Sequence, residues 1–205
     1  MEQHENHITL IGVMTAPPEF SHSNHGRHFY RFPLEVTRLS GAVDVLQILA
    51  SESLLRRTEI GEGTALCVMG QIRSYNSRSP DGRHLIISVL ADTLEPTDLP
   101  HDNRVTLRGS ICKEPVYRRT PLGREICDVM LAVNRSYHRA DYLPCILWGG
   151  KAREASYYPV GTDLFLTGRL QSRKYIKVIG EESHERTAYE ISTITAEATE
   201  ASDLQ

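Results

Sequence analysis

An internal repeat constrains the fold of this chain more than any other sequence feature. When the first half is shifted by 97 positions, 12 residues coincide, where unrelated sequences of this composition would share about three. The coinciding pairs include Asn6 with Asn103, Gly12 with Gly109, Arg38 with Arg135 and Asp44 with Asp141. After one inserted residue, Gly70 meets Gly168 in the same way. The chain therefore contains two tandem copies of one fold.

The second copy shows the period-two alternation of half-buried strands. Apolar residues occupy every other position over residues 105–111 and again over residues 127–133. Pro121 and Gly123, in the segment 120–123, predict a hairpin turn between these two strands. A third strand is predicted over residues 142–148.

The rest of the copy adds a short helix and two strands. The helix is predicted over residues 151–158, before Pro159 and Gly161. Strands are predicted over 163–170 and 187–195, with a polar, acidic loop over 179–185. Three strands, a helix and two more strands are typical of a closed Greek-key barrel, the OB-fold. We therefore predict an all-β chain with two tandem five-stranded OB-fold barrels, each with one short helix.

The repeat and the composition also set the domain limits. The first barrel is predicted over residues 1–96 and the second over residues 103–196. Between them, the linker is predicted over residues 97–102, the end of a segment from residue 93 to residue 102 that is rich in proline and acidic residues and suits a semi-rigid spacer. Residues 197–205 are predicted to form a flexible tail.

Charge divides the chain unequally. Residues 1–100 carry 8 basic residues, all arginine, against 12 acidic ones, whereas residues 103–195 carry 15 basic against 10 acidic. The overall charge of −3 conceals this difference. An anionic partner is therefore expected on the second copy.

Catalytic, cofactor and metal motifs are missing from the sequence. It contains no GxSxG, P-loop, HExxH or cysteine-rich pattern, so we expect neither an enzyme nor a cofactor. His22, His25 and His28 are spaced by three residues, but they lie in what is predicted to be a flexible loop, which is a poor set of metal ligands.

The cysteines and the N-terminus point to a cytoplasmic protein. Cys67, Cys112, Cys127 and Cys145 show no pairing pattern, and the last two fall in apolar strands, so buried reduced thiols are expected. The first residues lack a basic region followed by an apolar core, so no signal peptide is predicted. No apolar run reaches the length of a membrane span.

Aromatic residues lie among basic residues in the second copy. Exposed rings can stack on the bases of single strands while nearby cations contact phosphates. Tyr142 and Trp148 have the parity opposite to Leu143, which favours exposure, although strand aromatics are often core residues and Arg118 and Arg119 can be a solvated edge. The candidate nucleic-acid-binding residues are Tyr117, Arg119, Arg135, Tyr137, Tyr142, Trp148, Lys151, Arg169, Arg173, Lys174 and Tyr175.

Several motifs of the second copy resemble the bacterial single-stranded DNA-binding protein family. They are Asn103-Arg-Val-Thr-Leu-Arg-Gly109, Glu114-Pro115, Thr120-Pro-Leu-Gly123, Leu131-Ala-Val-Asn-Arg135, Leu147-Trp-Gly149, Gly168-Arg-Leu-Gln-Ser-Arg-Lys-Tyr175 and Tyr189-Glu-Ile-Ser192. The resemblance implies an OB barrel in a bacterial, nucleoid-associated protein of DNA replication, recombination or repair. It also implies that Tyr137, Tyr142, Trp148 and Tyr175 stack on bases. Because four barrels usually assemble around the DNA in this family, a two-barrel chain is expected to form a homodimer.

The first copy and the tail depart from the family. Ser40, Val45 and Ser51 stand where the second copy has Tyr137, Tyr142 and Trp148, and residues 1–100 contain no lysine. Weak DNA binding or an architectural role is therefore expected for the first copy. The tail lacks the acidic, aromatic-containing tip of the family, so enzymes are not expected to be recruited by that route.

Two hypotheses follow for the function. One is a binding module that captures single-stranded DNA without sequence preference. The alternative is an accessory subunit of a replication or mobile-element complex, which would bind protein partners through the acidic first copy. Burial of Tyr142 and Trp148 would weigh strongly against the first hypothesis.

Overall fold

The two halves of the chain fold alike. The structure, a computed structural model, describes residues 5–79, 82–179 and 182–199. Copy 1 contains β1 (Asn6–Met14), β2 (Glu19–Asn24), β3 (Arg27–Thr37), β4 (Val43–Ser51), α1 (Glu52–Leu55), β5 (Ala65–Ser79) and β6 (Gly82–Pro96). Copy 2 contains β7 (Asp102–Ile111), β8 (Val116–Arg119), β9 (Glu125–Arg135), β10 (Arg139–Trp148), α2 (Gly149–Ala155), β11 (Asp163–Ile179) and β12 (Glu182–Thr199).

Strand pairing closes each copy into a five-stranded barrel. In copy 1, β1 pairs with β3 and β5, β4 pairs with β3, and β6 pairs with β5 and, in parallel, with β4. Copy 2 repeats these pairings with β7, β9, β10, β12 and β11. The predicted pair of OB-fold barrels is confirmed. The sequence analysis missed β2 and β8, short exposed strands that lie at the two ends of the strand order.

Several predicted boundaries change. The hairpin turn at residues 120–123 is confirmed, with Gly123 at φ 76° and its N–H donating to the carbonyl of Thr120 at 2.8 Å. The polar loop predicted over residues 179–185 is wrong for residues 179 and 182–185, because β11 and β12 remain paired from Asp163 with Thr199 out to Ile179 with Glu182. Residues 180 and 181 lie outside the described residues. The last strand also includes residues 197–199, which the sequence assigns to the tail.

Close strand crossings explain two of the repeated glycines. A Cβ atom on Gly12 would lie 2.3 Å from the carbonyl oxygen of Glu35, and one on Gly109 would lie 2.4 Å from that of Ala132. These distances are far below van der Waals contact, so any side chain there would force the strands apart. Each glycine marks the place where the first strand of its copy crosses the third.

Two repeated asparagines join strands inside the barrels. The Asn6 side chain donates to the carbonyl of Ile72 at 2.8 Å and accepts from its N–H at 2.8 Å. Asn103 does the same with Leu170, at 2.7 and 3.0 Å. Both amides are buried, and a buried side-chain amide needs such partners. The two asparagines that repeat in the sequence therefore make the same pair of hydrogen bonds in both copies.

The two barrels meet through their first strands. β1 and β7 pair antiparallel, and Ile8 lies opposite Val105, which is its own counterpart at the shift of 97. The copies are therefore related by a local two-fold axis at this pair. Between the barrels, the N–H of Thr37 donates to Nδ1 of His101 at 2.7 Å, which ties the connecting segment to copy 1.

A buried carboxylate in each copy contacts the long hairpin of the other. Asp44 accepts from Nε and Nη2 of Arg38 at 2.7 and 2.6 Å and from the N–H of Ser172 at 2.7 Å. Asp141 accepts from Nη1 of Arg73 at 3.0 Å and from the N–H of Ser74 at 2.6 Å. Both side chains are fully buried. These reciprocal contacts hold β5 and β11 against the opposite barrel.

The cysteines are free, and Cys127 and Cys145 are buried, as predicted. Burial raises the pKa of the Cys145 thiol well above its ordinary range, because a thiolate is poorly solvated inside a protein. Among the described residues, no group of histidine, cysteine or acidic side chains is arranged to hold a metal ion. No helix in the described part of the chain is long and apolar enough to cross a membrane.

Candidate nucleic-acid interface

The outward side of β10 exposes two of the predicted rings. Tyr142 is 46% exposed and Trp148 is 38% exposed, whereas Leu143, Cys145 and Leu147 between them are buried. The predicted exposure of the two rings is therefore confirmed, although Ile146, which has the same parity, is buried. The burial of the rings that would have opposed DNA binding is not found. Nε1 of Trp148 donates to the hydroxyl of Ser192 on β12 at 3.2 Å, which fixes the orientation of the indole.

The same surface continues across β12 onto β11. Ile146 of β10 pairs with Ser192, and Ser192 pairs with Arg169. Side chains of directly paired residues lie on one side of a sheet, and residues two apart share that side. Arg173 and Tyr175 are therefore on this side too. We call the surface the aromatic face and define it by Tyr142, Trp148, Arg169, Arg173 and Tyr175.

Arg173 is the best-defined cation of the aromatic face. Its guanidinium carbon lies 5.9 Å from the centroid of the Tyr175 ring, within the range of a cation–π contact. Its Nε also lies 3.4 Å from a carboxylate oxygen of Glu190. Arg169 is exposed, and no ionic partner of its side chain is found among the described residues.

Tyr137 lies at the turn between β9 and β10. It is 92% exposed, and its φ of 63° is in the left-handed region, as is the φ of 53° at His138. Non-glycine residues rarely adopt this conformation, and it tends to occur where a functional site or tight turn requires it. The turn holds the tyrosine ring in solvent beside the strand that carries Tyr142.

Tyr117 and Arg119 lie on the other side of the sheet. Their register partners are Cys127 and Glu125, whereas Trp148 pairs with Ile126. The Tyr117 hydroxyl donates to Glu125 at 2.6 Å, and Arg119 lies 3.5 Å from the same carboxylate. The hydrogen bond from Tyr117, followed by the charges of nearby arginines, lowers the pKa of Glu125. These two residues belong to the predicted interface, but the structure does not bring them to the aromatic face.

The structure also places Arg135 away from the predicted nucleic-acid interface. It shares the inward parity of Val133 and forms an ion pair with the buried Asp141 at 3.3 Å. Arg38 makes the equivalent contact in copy 1. Because Asp141 also accepts from Arg73 and Ser74 of copy 1, Arg135 lies beside the contact between the barrels.

The two predicted lysines differ in position. Lys174 pairs with Thr187, next to the pair formed by Tyr175, so its side chain points to the opposite side of the hairpin, where it contacts Glu185 at 2.9 Å. Lys151 is in the first turn of α2, close in sequence to Trp148, and contacts Glu154 at 3.0 Å. Lys174 is therefore not part of the aromatic face, and Lys151 lies at its border.

Sequence reasoning missed two neighbours of the aromatic face. Arg118 pairs with Ile126, the partner of Trp148, and contacts Asp128 at 2.6 and 3.2 Å. Alternation within β8 would have identified Arg118 rather than Arg119, had that strand been predicted. The second neighbour comes from copy 1, where the Ser74 hydroxyl accepts from the N–H of Tyr142 at 2.7 Å. No local sequence signal indicates that contact.

The corresponding surface of copy 1 lacks the two rings of β10, although Tyr75, at the place equivalent to Arg173, is 56% exposed. Val45, the counterpart of Tyr142, is 38% exposed, and Ser51 replaces Trp148. The carbonyl of Val45 accepts from the hydroxyl of Tyr189 at 3.0 Å, so the hairpin of copy 2 borders this surface. The two surfaces have the same backbone and different chemistry.

Comparison with known proteins gives one family. The model of the single-strand binding protein family matches residues 102–198. The single-stranded DNA-binding protein of Bacillus cereus is 38% identical over 80 residues, 36% of this chain and 47% of that protein. Single-stranded DNA-binding protein B of Bacillus subtilis is also 38% identical over 80 residues, 36% of this chain and 71% of that protein. The chain thus spans about half the length of the Bacillus cereus relative and more than two thirds of the Bacillus subtilis one.

Among solved structures, the wild-type single-stranded DNA binding protein from Thermus aquaticus is similar over 98% of this chain and 95% of that chain. The TM-score is 0.78 and the sequence identity is 21%. A deletion mutant of the same Thermus aquaticus protein gives a TM-score of 0.75 over 95% of this chain and 94% of its own. The similarity extends over both copies and shows a common fold.

Proposed function

The chain belongs to the single-strand binding protein family, and from this premise we propose that it binds single-stranded DNA through the aromatic face of copy 2. Binding is independent of sequence and involves no chemical reaction. The observation that supports this proposal best is the exposure of Tyr142 and Trp148 on the side of β10 that faces away from the core.

Stacking provides the first part of the binding energy. Every base has a π-face, so a ring such as Tyr142, Trp148 or Tyr175 accepts any base, and each stacked base contributes about 1–3 kcal/mol. The hydrogen bond from Trp148 to Ser192 holds the indole in place before the DNA arrives. A preformed ring loses less conformational entropy on binding.

Phosphate contacts provide the second part of the binding energy. Arg169 and Arg173 lie on the same side of the hairpin as Tyr175, so a strand whose bases stack on the rings places its phosphates near guanidinium groups. Phosphate neutralisation releases condensed counterions, which makes binding weaker as salt increases. Sequence preference does not arise, since neither contact uses the hydrogen-bonding edges of the bases.

We further propose that two chains associate to give four barrels, and that the protein acts in the bacterial cytoplasm alongside replication, recombination or repair proteins. Sedimentation equilibrium tests the dimer. A mass twice that of the 23.1 kDa chain is expected, and a mass equal to one chain would contradict it.

Titration with oligo(dT), followed by tryptophan emission at several salt concentrations, tests the proposal. Trp148 is the single tryptophan of the chain, so its emission reports on the aromatic face alone. We expect strong quenching, nanomolar affinity and a slope of log K against log salt of about −0.7 for each phosphate contact. A duplex of the same length serves as the control and is expected to quench little, because its bases are already stacked.

Absence of quenching together with only millimolar affinity would contradict the proposal. That result would favour the alternative of an accessory subunit that binds protein partners through copy 1.

A further inference from the structure

Copy 1 has a cleft where copy 2 has an indole ring. Ser51 is the counterpart of Trp148, because Ser51 pairs with Phe29 as Trp148 pairs with Ile126. Leu90 is the counterpart of Ser192, because the two occupy equivalent places in the parallel pairing of β4 with β6 and of β10 with β12. Replacement of the indole by a serine leaves space between these strands and α1. The space, which we call the copy-1 cleft, is lined by Arg27, Phe29, Ser51, Leu54, Arg57 and Asp92.

One wall of the cleft is an aromatic stack. The ring of Phe29 on β3 lies parallel to the imidazole of His22 on β2, with centroids 5.1 Å apart and an interplanar angle of 10°. The two residues are direct register partners, so strand pairing holds the rings together. Phe29 lines the cleft and is only half-buried, so part of its ring is open to the cleft.

Two arginines of the cleft have no ionic partner among the residues that the structure describes. Arg27 and Arg57 are both exposed. Neighbouring arginines are paired, because Arg56 contacts Glu52 at 2.6 Å and Arg31 contacts Glu19 at 3.9 Å. The guanidinium groups at positions 27 and 57 are thus free to bind an anion.

Hydrogen-bond acceptors complete the cleft. The carboxylate of Asp92 lies in its wall, and the Ser51 and Ser53 hydroxyls lie 3.0 Å apart. A carboxylate repels phosphate but accepts hydrogen bonds from exocyclic amino groups, such as those of adenine and cytosine. A flat base with amino groups and an attached phosphate fits this combination better than a phosphate alone.

We propose that the copy-1 cleft binds one nucleotide of single-stranded DNA, with its base against Phe29 and its phosphates at Arg27 and Arg57. The inference rests on the proposed function, since it requires DNA on the protein. It adds a contact in copy 1 that lies outside the aromatic face and uses different residues. The cleft would extend the DNA contact to copy 1, which has no rings at the places equivalent to Tyr142 and Trp148.

A tryptophan placed in the cleft tests the inference in the full chain. The double variant Trp148→Phe with Phe29→Trp has its only tryptophan at the cleft. Oligo(dA) is expected to quench the emission of this variant at concentrations that saturate the native chain. Absence of quenching overturns the inference. Equal quenching by the mononucleotide dAMP at the same concentration also overturns it, because the cleft would then be a mononucleotide site.

The same titration on the native chain separates the two proposals. Quenching of Trp148 without quenching in the Phe29→Trp variant leaves the proposed function standing and removes the cleft. Failure of both signals removes both.

A second measurement does not depend on the tryptophan placed at position 29. Arg27→Ala with Arg57→Ala, in the otherwise native chain, is expected to reduce the steepness of log K against log salt by about 0.7 for each phosphate that the variant no longer neutralises. The matched control is Arg31→Ala with Arg56→Ala, which removes two neighbouring arginines that already have acidic partners. An equal change in slope for both pairs overturns the inference.

Discussion

The two copies share residues at two strand crossings and at the buried aspartates between the barrels, and they differ on the surface proposed to bind DNA. Gly12 and Gly109 both lie at crossings that admit no side chain. Asp44 and Asp141 both accept hydrogen bonds from the opposite copy. On the outward side of the corresponding strands, by contrast, Val45 and Ser51 face solvent in copy 1 where copy 2 has Tyr142 and Trp148.

This difference separates structural from functional residues within a single chain. A buried residue present in both copies, such as Asp44 and Asp141, answers a requirement of the shared fold. A residue present in one copy answers a requirement that only that copy has. The distinction fits Arg135, which is basic and near Tyr137 but forms an ion pair with the buried aspartate of its own copy, as its counterpart Arg38 does.

Substitution of the buried aspartates is expected to give the largest effect and tests whether the two copies are structurally equivalent. Asp44→Ala and Asp141→Ala are each expected to lower the free energy of unfolding by about 3–5 kcal/mol, because each leaves an arginine and a backbone N–H without their buried acceptor. Urea unfolding measures the loss. Asp163→Ala, which removes only an exposed ion pair with Arg108 at 3.7 Å, is the control, with an expected loss of about 0–1 kcal/mol. Unequal losses for the two buried positions would contradict their equivalence.

The glycine crossings provide a smaller effect of the same kind. Gly12→Ala and Gly109→Ala are each expected to cost about 1–3 kcal/mol, because the added carbon forces the strands apart. The added carbon of Gly150→Ala in α2 meets no atom within 4 Å, so thermal unfolding should show no loss there. Tolerance of alanine at one crossing and not at the other would mean that the barrels differ in their core geometry.

Salt dependence sharpens the contrast between the two sides of copy 2. Arg173→Ala is expected to make the slope of log K against log salt shallower by about 0.7, because the residue lies on the aromatic face. Arg119→Ala should leave the slope unchanged, since that residue contacts Glu125 on the other side of the sheet. Fluorescence titration at several salt concentrations distinguishes them, and the reverse order would contradict the assignment of faces.

The smallest expected effect concerns alkaline pH. Burial and the hydrogen bond donated to Glu154 raise the pKa of Tyr158 to about 12, whereas an unfolded tyrosine has a pKa of about 10. The neutral form is thus favoured in the folded state, and its contribution to stability is complete below a pH of about 10 and disappears as the pH rises toward about 12. Ile60 packs at the corresponding place in copy 1. Tyr158→Phe should flatten this part of the stability profile in urea titrations, and an unchanged profile would contradict the assignment.

The barrels and the exposure of Tyr142 and Trp148 could be predicted because both depend on local alternation. Each barrel strand has one side in the core, so apolar residues repeat at period two. The outer parts of β11 and β12 extend beyond the barrel and have no buried side. Without a buried side they do not show the alternation that predicts a strand, and the polar start of β12 suggests a loop, although the residues that the structure describes there are fully paired.

The errors in the predicted site have related causes. Lys174 and Tyr175 are adjacent in a strand and point to opposite sides, which cannot be seen when the strand is predicted to end at residue 170. Arg119 rather than Arg118 is predicted to bind DNA because β8 is not predicted as a strand, so the opposite directions of these two side chains cannot be seen. The sequence contains one indication against Arg135, since Arg135 and Asp141 both coincide with residues of the same type in the first copy, Arg38 and Asp44. The contact between Ser74 and Tyr142 depends on how the barrels dock, which local patterns do not encode.

The most direct test of the account compares one position in the two copies. Tyr142→Ala and Val45→Ala change residues at equivalent places on equivalent strands, and affinity for oligo(dT) is measured for both at one salt concentration. We expect Tyr142→Ala to weaken binding by about 1–3 kcal/mol, the value of one stacked base, and Val45→Ala to leave the affinity unchanged. Equal losses, or no loss at Tyr142, would contradict the claim that copy 2 binds DNA through the aromatic face.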